Sequence, residues 1–211
     1  MFNTEDIYDR SCTELLGRRG VDFTRELKMA MMGLPTRTAI ETMRERCGLS
    51  DSVDDLLQES DTLFLEILPQ LIQKMPGLDS ILAELEERQL PKAVATSSDR
   101  KLAEVALNRF DLIPRFEFIL TSEDVTNGKP APDVYLLAAR KLQVKPENML
   151  VLEDSFVGSS AAAAAKTIAV AVPNQHTAEQ DFSHVDFVVD GLNSEVILEL
   201  LNNRSTLQNQ S

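Results

Sequence analysis

The fold is decided by the stretch Met149-Leu150-Val151-Leu152-Glu153-Asp154-Ser155, in which an apolar run leads directly into two adjacent carboxylates. An alanine-rich stretch follows, so the segment predicts a buried strand that turns into a helix. Adjacent carboxylates repel each other, and such a pair either attracts a cation or raises a pKa. Their oxygens suit Mg²⁺, with water and a phosphate completing the shell. The alternative is an acidic helix start, which the helix dipole stabilises by about 0.3–1 kcal/mol and which explains one carboxylate better than two.

Length and charge limit the classes of function that this chain can have. Its 211 residues suit one large domain or a core domain with an insertion. The net charge is −13, from 21 basic and 34 acidic residues, and there is no basic run. This balance argues against nucleic-acid or membrane partners. An anionic substrate must therefore be attracted by local cations and not by the field of the whole protein.

The cysteines and the ends of the chain indicate a cytoplasmic protein. Cys12 and Cys47 lie far apart in the sequence and form no CxxC pair, so we expect both thiols to be reduced. The N-terminal residues do not show the pattern of a signal peptide, and no apolar stretch reaches membrane-spanning length. We expect the last residues, 205–211, to form a disordered tail.

The chain changes character at Pro76. Residues 6–75 show helical spacing of apolar residues throughout, which predicts a compact helical domain. From residue 76 to 204, helices alternate with short apolar strands, which predicts an α/β domain with a doubly wound parallel sheet. The predicted strands are Lys92–Thr96, Phe118–Thr121, Met149–Leu152, Thr167–Val172 and Phe187–Val189. In such sheets the ligand site lies at the carboxyl ends of the strands.

Two further polar clusters follow predicted strands. Thr96-Ser97-Ser98-Asp99 offers hydroxyls and backbone N–H groups to an anion at a helix start, although an ordinary helix cap explains the same residues. Lys129 stands between Gly128 and Pro130, an arrangement that holds one ammonium in place near a phosphoryl group or a carboxylate cluster. The alternative there is a solvated lysine in a turn. Hydroxyl, lysine and acid pair together describe a site for a phosphoryl group and Mg²⁺.

These clusters resemble the haloacid dehalogenase superfamily, in its capped phosphatase and β-phosphoglucomutase-like branch. Ala93–Thr96 is similar to the family's second motif, a hydrophobic strand that ends in Ser or Thr. Gly128–Asp133 is similar to its lysine loop, Gly-Lys-Pro-x-Pro-Asp. Glu153–Gly158 is similar to its acidic motif, Glu-Asp-Ser-x-x-Gly. The resemblance implies a Rossmann-like core over residues 76–204 with an inserted helical cap over residues 6–75.

The first motif of the family is the main departure. Phe2-Asn3-Thr4-Glu5 resembles only its end, which makes residues 1–5 a remnant of the motif. The two leading aspartates, of which the first is the family's nucleophile and the second its general acid/base, would lie upstream of Met1. We therefore expect the chain as printed to be inactive. A misassigned start and a true loss of the segment both remain open.

The resemblance also implies that the first strand of the core is missing. In the family this strand is central, between the strands that end at Thr96 and Asp154. Its absence would leave buried backbone groups unpaired, each costing about 1–3 kcal/mol. We expect either direct pairing of the two neighbours or an additional strand that precedes Met1.

The resemblance implies that the protein is a Mg²⁺-dependent phosphohydrolase of a small phosphorylated metabolite, a sugar or nucleoside phosphate. Asp154 would bind Mg²⁺, with Glu153 assisting directly or through water. Thr96 and the backbone of Ser97 would hold the phosphoryl oxygens, and Lys129 would balance charge on the phosphoryl group and the nucleophile.

The helical cap would close over the site and choose the substrate, with Arg37 as a candidate contact. Three alternatives remain beside the phosphohydrolase. The protein could be a phosphomutase of the same family or a non-catalytic binding protein that lacks its nucleophile. It could also be a 2-haloacid dehalogenase, a branch that needs no Mg²⁺ and against which the acid pair therefore counts.

Overall fold

The computed structural model describes residues 1–208, and within the last helix it describes side chains as far as residue 202. In chain order the helices are α1 (Thr4–Gly17), α2 (Arg25–Met31), α3 (Thr36–Cys47), α4 (Val53–Leu71), α5 (Leu78–Glu87), α6 (Arg100–Asn108), α7 (Asp133–Leu142), α8 (Phe156–Ala164) and α9 (Glu195–Gln208). The strands are β1 (Val94–Ala95), β2 (Ile119–Leu120), β3 (Leu150–Glu153), β4 (Ile168–Ala171) and β5 (Phe187–Val188). Among these described helices, none has both the length and the hydropathy needed to cross a bilayer.

The chain divides into two compact units. A helical unit contains residues 2–74 and 98–111, and an α/β unit contains Met1, residues 75–97 and the described residues from 112 onward. The predicted boundaries were 6–75 for the cap and 76–204 for the core. Helix α6 therefore groups with the helical unit, although its place in the sequence put it in the core.

The helical unit is held by caps and by an apolar core. Ser52 caps α4 by accepting a hydrogen bond from the Asp55 amide at 3.1 Å, as Thr24 does for α2 from the Leu27 amide at 3.2 Å. Gly48 ends α3 in the left-handed conformation that glycine adopts without strain. The buried core consists of Leu15, Leu16, Leu27, Ile40, Met43, Leu56 and Leu63.

Aromatic contacts explain why α6 and the N-terminus belong to the helical unit. Phe2 forms an antiparallel bridge with Lys74, and its ring stacks on that of Phe110, just after α6, at 5.4 Å between centroids. Tyr8 on α1 is hydrogen-bonded to Ser98, just before α6. These contacts join the first residues of the chain to the segments directly before and after α6.

The strands of the α/β unit are parallel, which confirms the predicted α/β class. They form a two-stranded sheet, β1-β2, and a three-stranded sheet, β3-β4-β5. Among the described residues no ladder joins β1 to β3, so the direct pairing that was one of the two expectations for these strands is not found. Helix α8 packs on β3 and β4 of the larger sheet, and α7 packs against α8 and against β1. Small residues of these helices, among them Ala138, Ala161 and Ala162, are buried in the core between them.

Four of the five strands are shorter than predicted, and the last helix extends into the predicted tail. Two predicted strands, Lys92–Thr96 and Phe118–Thr121, each keep a two-residue ladder in the middle. Helix α9 continues to Gln208, which includes the first four residues of the predicted disordered tail, 205–211. The remaining residues of that tail, 209–211, lie outside the described residues.

Candidate functional site

One ammonium joins the carboxyl ends of the two sheets. Lys129 Nζ donates to the carbonyl oxygen of Ala95, the last residue of β1, at 3.1 Å. It also donates to Glu153 Oε1, at the end of β3, at 2.5 Å. The two side chains are 7% and 11% exposed, respectively, so this is a buried ion pair. Buried charges persist only where such hydrogen bonds compensate the loss of hydration.

The loop around Lys129 is braced at both ends. Asn127 Nδ2 donates to Asp133 Oδ1 at 3.0 Å, and Asp133 is the first residue of α7. The Ala131 amide donates to the Gly128 carbonyl at 3.0 Å, which closes a tight turn across the lysine. Pro130 and Pro132 further reduce the freedom of the backbone. The ammonium is therefore presented from a constrained segment and not from a mobile side-chain tip.

Tyr135 is a functional candidate that sequence reasoning missed. Its hydroxyl donates to Glu153 Oε1, and its ring centroid lies 5.0 Å from Lys129 Nζ, within reach of a cation–π interaction. Burial raises the pKa of Tyr135 well above its ordinary value, and the Glu153 carboxylate raises it further. Tyr135 therefore remains a neutral donor that holds Glu153. The sequence feature that could have identified Tyr135 is an aromatic residue with a polar tip in the first turn of α7, six residues after Lys129.

Gly158 explains the spacing of the acidic motif. Ser155 caps α8 by accepting a hydrogen bond from the Gly158 amide at 3.1 Å, which brings Gly158 back against the end of β3. A Cβ atom at this glycine would overlap the carboxylate of Glu153. The glycine is thus required so that Glu153 can lie beside α8 and reach Lys129.

Asp154 occupies a different environment from its neighbour. Its Oδ2 accepts a hydrogen bond from Asn174 Nδ2 at 3.0 Å. Burial raises the pKa of Asp154 above its ordinary value and the Glu153 carboxylate raises it further, while the amino group of Met1 and Lys129 lower it. The carboxyl therefore lacks enough positive charge to compensate its lost hydration. Sequence reasoning missed Asn174, although a polar residue just after a parallel strand was the signal that identified the other clusters.

The residues present fit a Mg²⁺ ion that keeps much of its shell as water and phosphate. No group of three or more His, Cys, Asp or Glu side chains suited to a metal occurs within the described residues. An all-protein cage is therefore not formed there, and Mg²⁺ is commonly bound through one or two carboxylates with substrate phosphate. Asp154 as a ligand stays a prediction, which its buried carboxyl supports because burial and the Glu153 carboxylate raise its pKa above the ordinary value. Glu153 as a ligand stays a prediction, because its Oε1 already accepts from Lys129 and Tyr135.

The other predicted site residues lie in two places. Thr96 and Ser97 directly follow Ala95, whose carbonyl binds Lys129, and the Thr96 amide extends the β1-β2 ladder by donating to the Leu120 carbonyl at 2.9 Å. Their phosphate contacts stay predictions. Arg37 belongs to the helical unit, where its Nη1 binds Asp54 Oδ1 at 2.8 Å. Its contact with substrate also stays a prediction.

Comparison with known proteins finds relatives along most of the chain. The profile of the haloacid dehalogenase-like hydrolases matches residues 1–172. A Drosophila melanogaster protein named probable pseudouridine-5'-phosphatase is 33% identical over 200 residues, which cover 91% of this chain and 85% of that protein. A phosphorylated carbohydrates phosphatase of Thermotoga maritima is 29% identical over 165 residues, or 78% and 76% of the two chains.

A solved structure gives the same result for the fold. The crystal structure of CbbY from Rhodobacter sphaeroides in complex with phosphate superposes with a TM-score of 0.80 at 25% identity. The superposition covers 91% of this chain and 90% of that chain. The likeness therefore spans both the helical and the α/β residues of the sequence.

Proposed function

The chain belongs to the haloacid dehalogenase-like hydrolase family, and we propose that within it the protein is a Mg²⁺-dependent phosphohydrolase of a small phosphorylated metabolite. One observation carries the proposal. The buried Lys129 ammonium contacts both the end of β1 and Glu153 at the end of β3, next to the undercompensated carboxyl of Asp154. A phosphoryl group with a bound metal ion requires a fixed positive charge and a carboxylate that can bind the metal, and here the Lys129 ammonium and the Asp154 carboxyl offer both.

Each residue has a distinct role in the proposed site. Asp154 holds Mg²⁺, which when bound neutralises charge on the phosphoryl oxygens. Lys129 balances the remaining negative charge as the phosphoryl group is transferred, and Glu153, which Tyr135 holds, keeps the ammonium in place. Thr96 and the Ser97 backbone offer hydrogen-bond donors at the end of β1. The arrangement stabilises the charge that develops in transfer, which is where most of the catalysis arises in phosphoryl chemistry.

The proposed reaction proceeds through an aspartyl phosphate. A carboxylate oxygen attacks phosphorus, the bond to the leaving alkoxide breaks, and water then hydrolyses the acyl phosphate. The 211 residues contain no Asp-x-Asp pair. We propose that this nucleophile belongs to sequence ahead of Met1 and that it reaches the carboxyl end of the sheet on a strand of its own.

The substrate class is proposed from the names of relatives. One relative is named for pseudouridine 5'-phosphate and another for phosphorylated carbohydrates. Both compounds combine a phosphate monoester with a polyhydroxylated ring. We therefore propose a sugar or nucleoside phosphate as substrate, in a cytoplasmic setting and without a nucleic-acid or membrane partner.

Two forms of the protein test the proposal. The 211-residue chain and a chain extended by the upstream coding sequence are assayed for phosphate release from a panel of sugar phosphates and nucleoside monophosphates, with Mg²⁺ or with a chelator. We expect turnover only from the extended chain with Mg²⁺. Asp154→Asn should lower it on the order of 100-fold, and Asp190→Asn, which alters an exposed acid of the same unit, should leave it unchanged. Turnover by the 211-residue chain that survives Asp154→Asn would refute the assigned mechanism.

The absence of Asp-x-Asp from the printed sequence favours one other candidate, a non-catalytic protein that binds a phosphorylated metabolite. Such a protein would bind phosphate and Mg²⁺ through Lys129 and Asp154 without turnover in either form. An upstream reading frame without the aspartate pair, together with retained phosphate binding, would support this candidate over the hydrolase.

A further inference from the structure

Asn174 is held in a turn that determines which way its side-chain amide points. Its Oδ1 accepts from the His176 backbone amide at 2.8 Å, and its own backbone amide donates to Thr177 Oγ1 at 3.0 Å. The Thr177 amide returns a hydrogen bond to the Asn174 carbonyl at 3.1 Å, and Thr177 itself is buried. Three hydrogen bonds therefore fix the residue just after β4.

This turn leaves a single orientation for the amide. Oδ1 carries no hydrogen, so the atom that meets the His176 amide must be the oxygen. The Nδ2 group consequently faces Asp154 and donates to its Oδ2 at 3.0 Å. A hydrogen bond to an ionised acceptor is among the stronger kinds in proteins.

We propose that Asn174 is a positioning residue that makes Asp154 a one-oxygen ligand and so favours Mg²⁺ over Ca²⁺; this rests on the proposed Mg²⁺ role of Asp154. With Oδ2 engaged by Asn174, a cation that approaches through Oδ1 leaves the hydrogen bond intact. Mg²⁺ accepts carboxylates through one oxygen in a tight octahedron, whereas Ca²⁺ takes six to eight oxygens and commonly binds carboxylates through both. Ca²⁺ could use both oxygens of Asp154 only by displacing the Asn174 amide.

Two substitutions separate positioning from support of the fold. Asn174→Asp keeps an oxygen for the His176 amide and so preserves the turn, but it replaces the donor facing Asp154 with a second acceptor. Asn174→Ala removes both bonds. The full 211-residue chain is titrated calorimetrically with MgCl₂ and with CaCl₂ in the presence of inorganic phosphate, and Tm is recorded without either cation.

We expect both variants to lower the ratio of Mg²⁺ to Ca²⁺ affinity by about tenfold or more, since the lost bond is to a charged group. Asn174→Asp should do so with a Tm closer to that of the wild type than the Tm of Asn174→Ala. Equal loss of both cations, or an unchanged ratio in Asn174→Asp, would overturn the positioning role.

The wild-type chain and Asp154→Asn separate this proposal from the proposed function. Mg²⁺ binding that Asp154→Asn abolishes supports the metal site, and the ratio in the Asn174 variants then decides the positioning role alone. Mg²⁺ binding that is undiminished in Asp154→Asn would overturn both proposals together.

Discussion

The two units of the protein carry ion pairs in contrasting surroundings. In the helical unit Arg19 binds Asp51 and Glu59, and the side chains of Arg19 and Glu59 remain 18% and 24% exposed. In the α/β unit Lys129 binds Glu153, and these side chains are only 7% and 11% exposed. Water still screens the first network, but hydrogen bonds from protein groups replace water around the second.

The difference teaches where each unit derives its stability. The helical unit buries leucine, isoleucine and methionine side chains and leaves its charges near solvent. The α/β unit packs small alanine-rich surfaces and buries charge at the carboxyl ends of its strands. Replacing a buried pair with apolar residues is often neutral or stabilising, so this pair is better explained by the chemistry of the site than by stability.

The largest expected effect comes from breaking the buried pair. Lys129→Met leaves Glu153 charged and without its cation, and the free energy of unfolding should fall by about 3–5 kcal/mol in urea titrations. The double variant Lys129→Met/Glu153→Gln should recover much of this loss, because the uncompensated charge is gone. A double variant as unstable as Lys129→Met would show that the lysine acts through packing.

A packing change in the helical unit should come next. Leu16 is fully buried, and Leu16→Ala should lower the free energy of unfolding by about 2–5 kcal/mol, through lost transfer energy and the cavity left behind. Mg²⁺ and phosphate binding, measured by calorimetry under conditions where the variant is folded, should remain at the wild-type level. A variant that loses cation binding while still folded would break the division of roles between the units.

Tyr8 is a buried titratable group of the helical unit. The pH dependence of stability therefore tests whether this unit, too, buries an ionisable group. Burial is the main cause that raises the pKa of Tyr8 from its ordinary value of 10.0 to about 12. The folded state therefore keeps the proton that the unfolded state loses, and stability should fall by roughly 2–3 kcal/mol as pH rises from about 10 to about 12. Tyr8→Phe should remove this part of the alkaline loss, seen as a smaller pH dependence in urea unfolding. Equal slopes in the two proteins would argue against a buried Tyr8 hydroxyl.

The smallest effect is expected at the partly exposed network. Arg19→Met should cost no more than about 1 kcal/mol, because solvent screens the interaction of Arg19 with Glu59. The same urea titrations as for Lys129→Met measure it, with added salt reducing the difference further. A loss as large as that of Lys129→Met would contradict the contrast between the two ion pairs.

The sequence predicted the fold class and the polar loops, because both depend on local signals. Apolar strands followed by Thr96, by Lys129 and by Glu153-Asp154 are short-range patterns, and parallel strands bring their carboxyl ends to one edge. The pairing of Lys129 with Glu153, in contrast, depends on side-chain directions across 24 residues of sequence. Tyr135 and Asn174 were missed because their role is to hold other site residues, and such contacts leave no periodic trace.

The grouping of α6 was also beyond the sequence. Its position between two strands predicted a helix of the α/β unit, and nothing local in residues 100–108 indicates otherwise. The deciding contacts join Phe2 to Phe110 and Tyr8 to Ser98, pairs separated by about 90–110 residues of chain. Contacts between residues so far apart in the chain leave no signal in the local alternation of elements on which the prediction depended.

Gly158 has a consequence for how this sequence can vary. Any side chain there would displace the carboxylate of Glu153, and that carboxylate is the partner of both Lys129 and Tyr135. A substitution at a position with no charge and no polar side chain would thus change the surroundings of an ammonium on another loop. The effect of Gly158→Ala would depend on the residue at position 153. The substitution should be tolerated better together with Glu153→Asp, whose shorter side chain leaves the space free, than in the wild-type background. Neighbouring positions of the acidic motif are therefore not free to change one at a time.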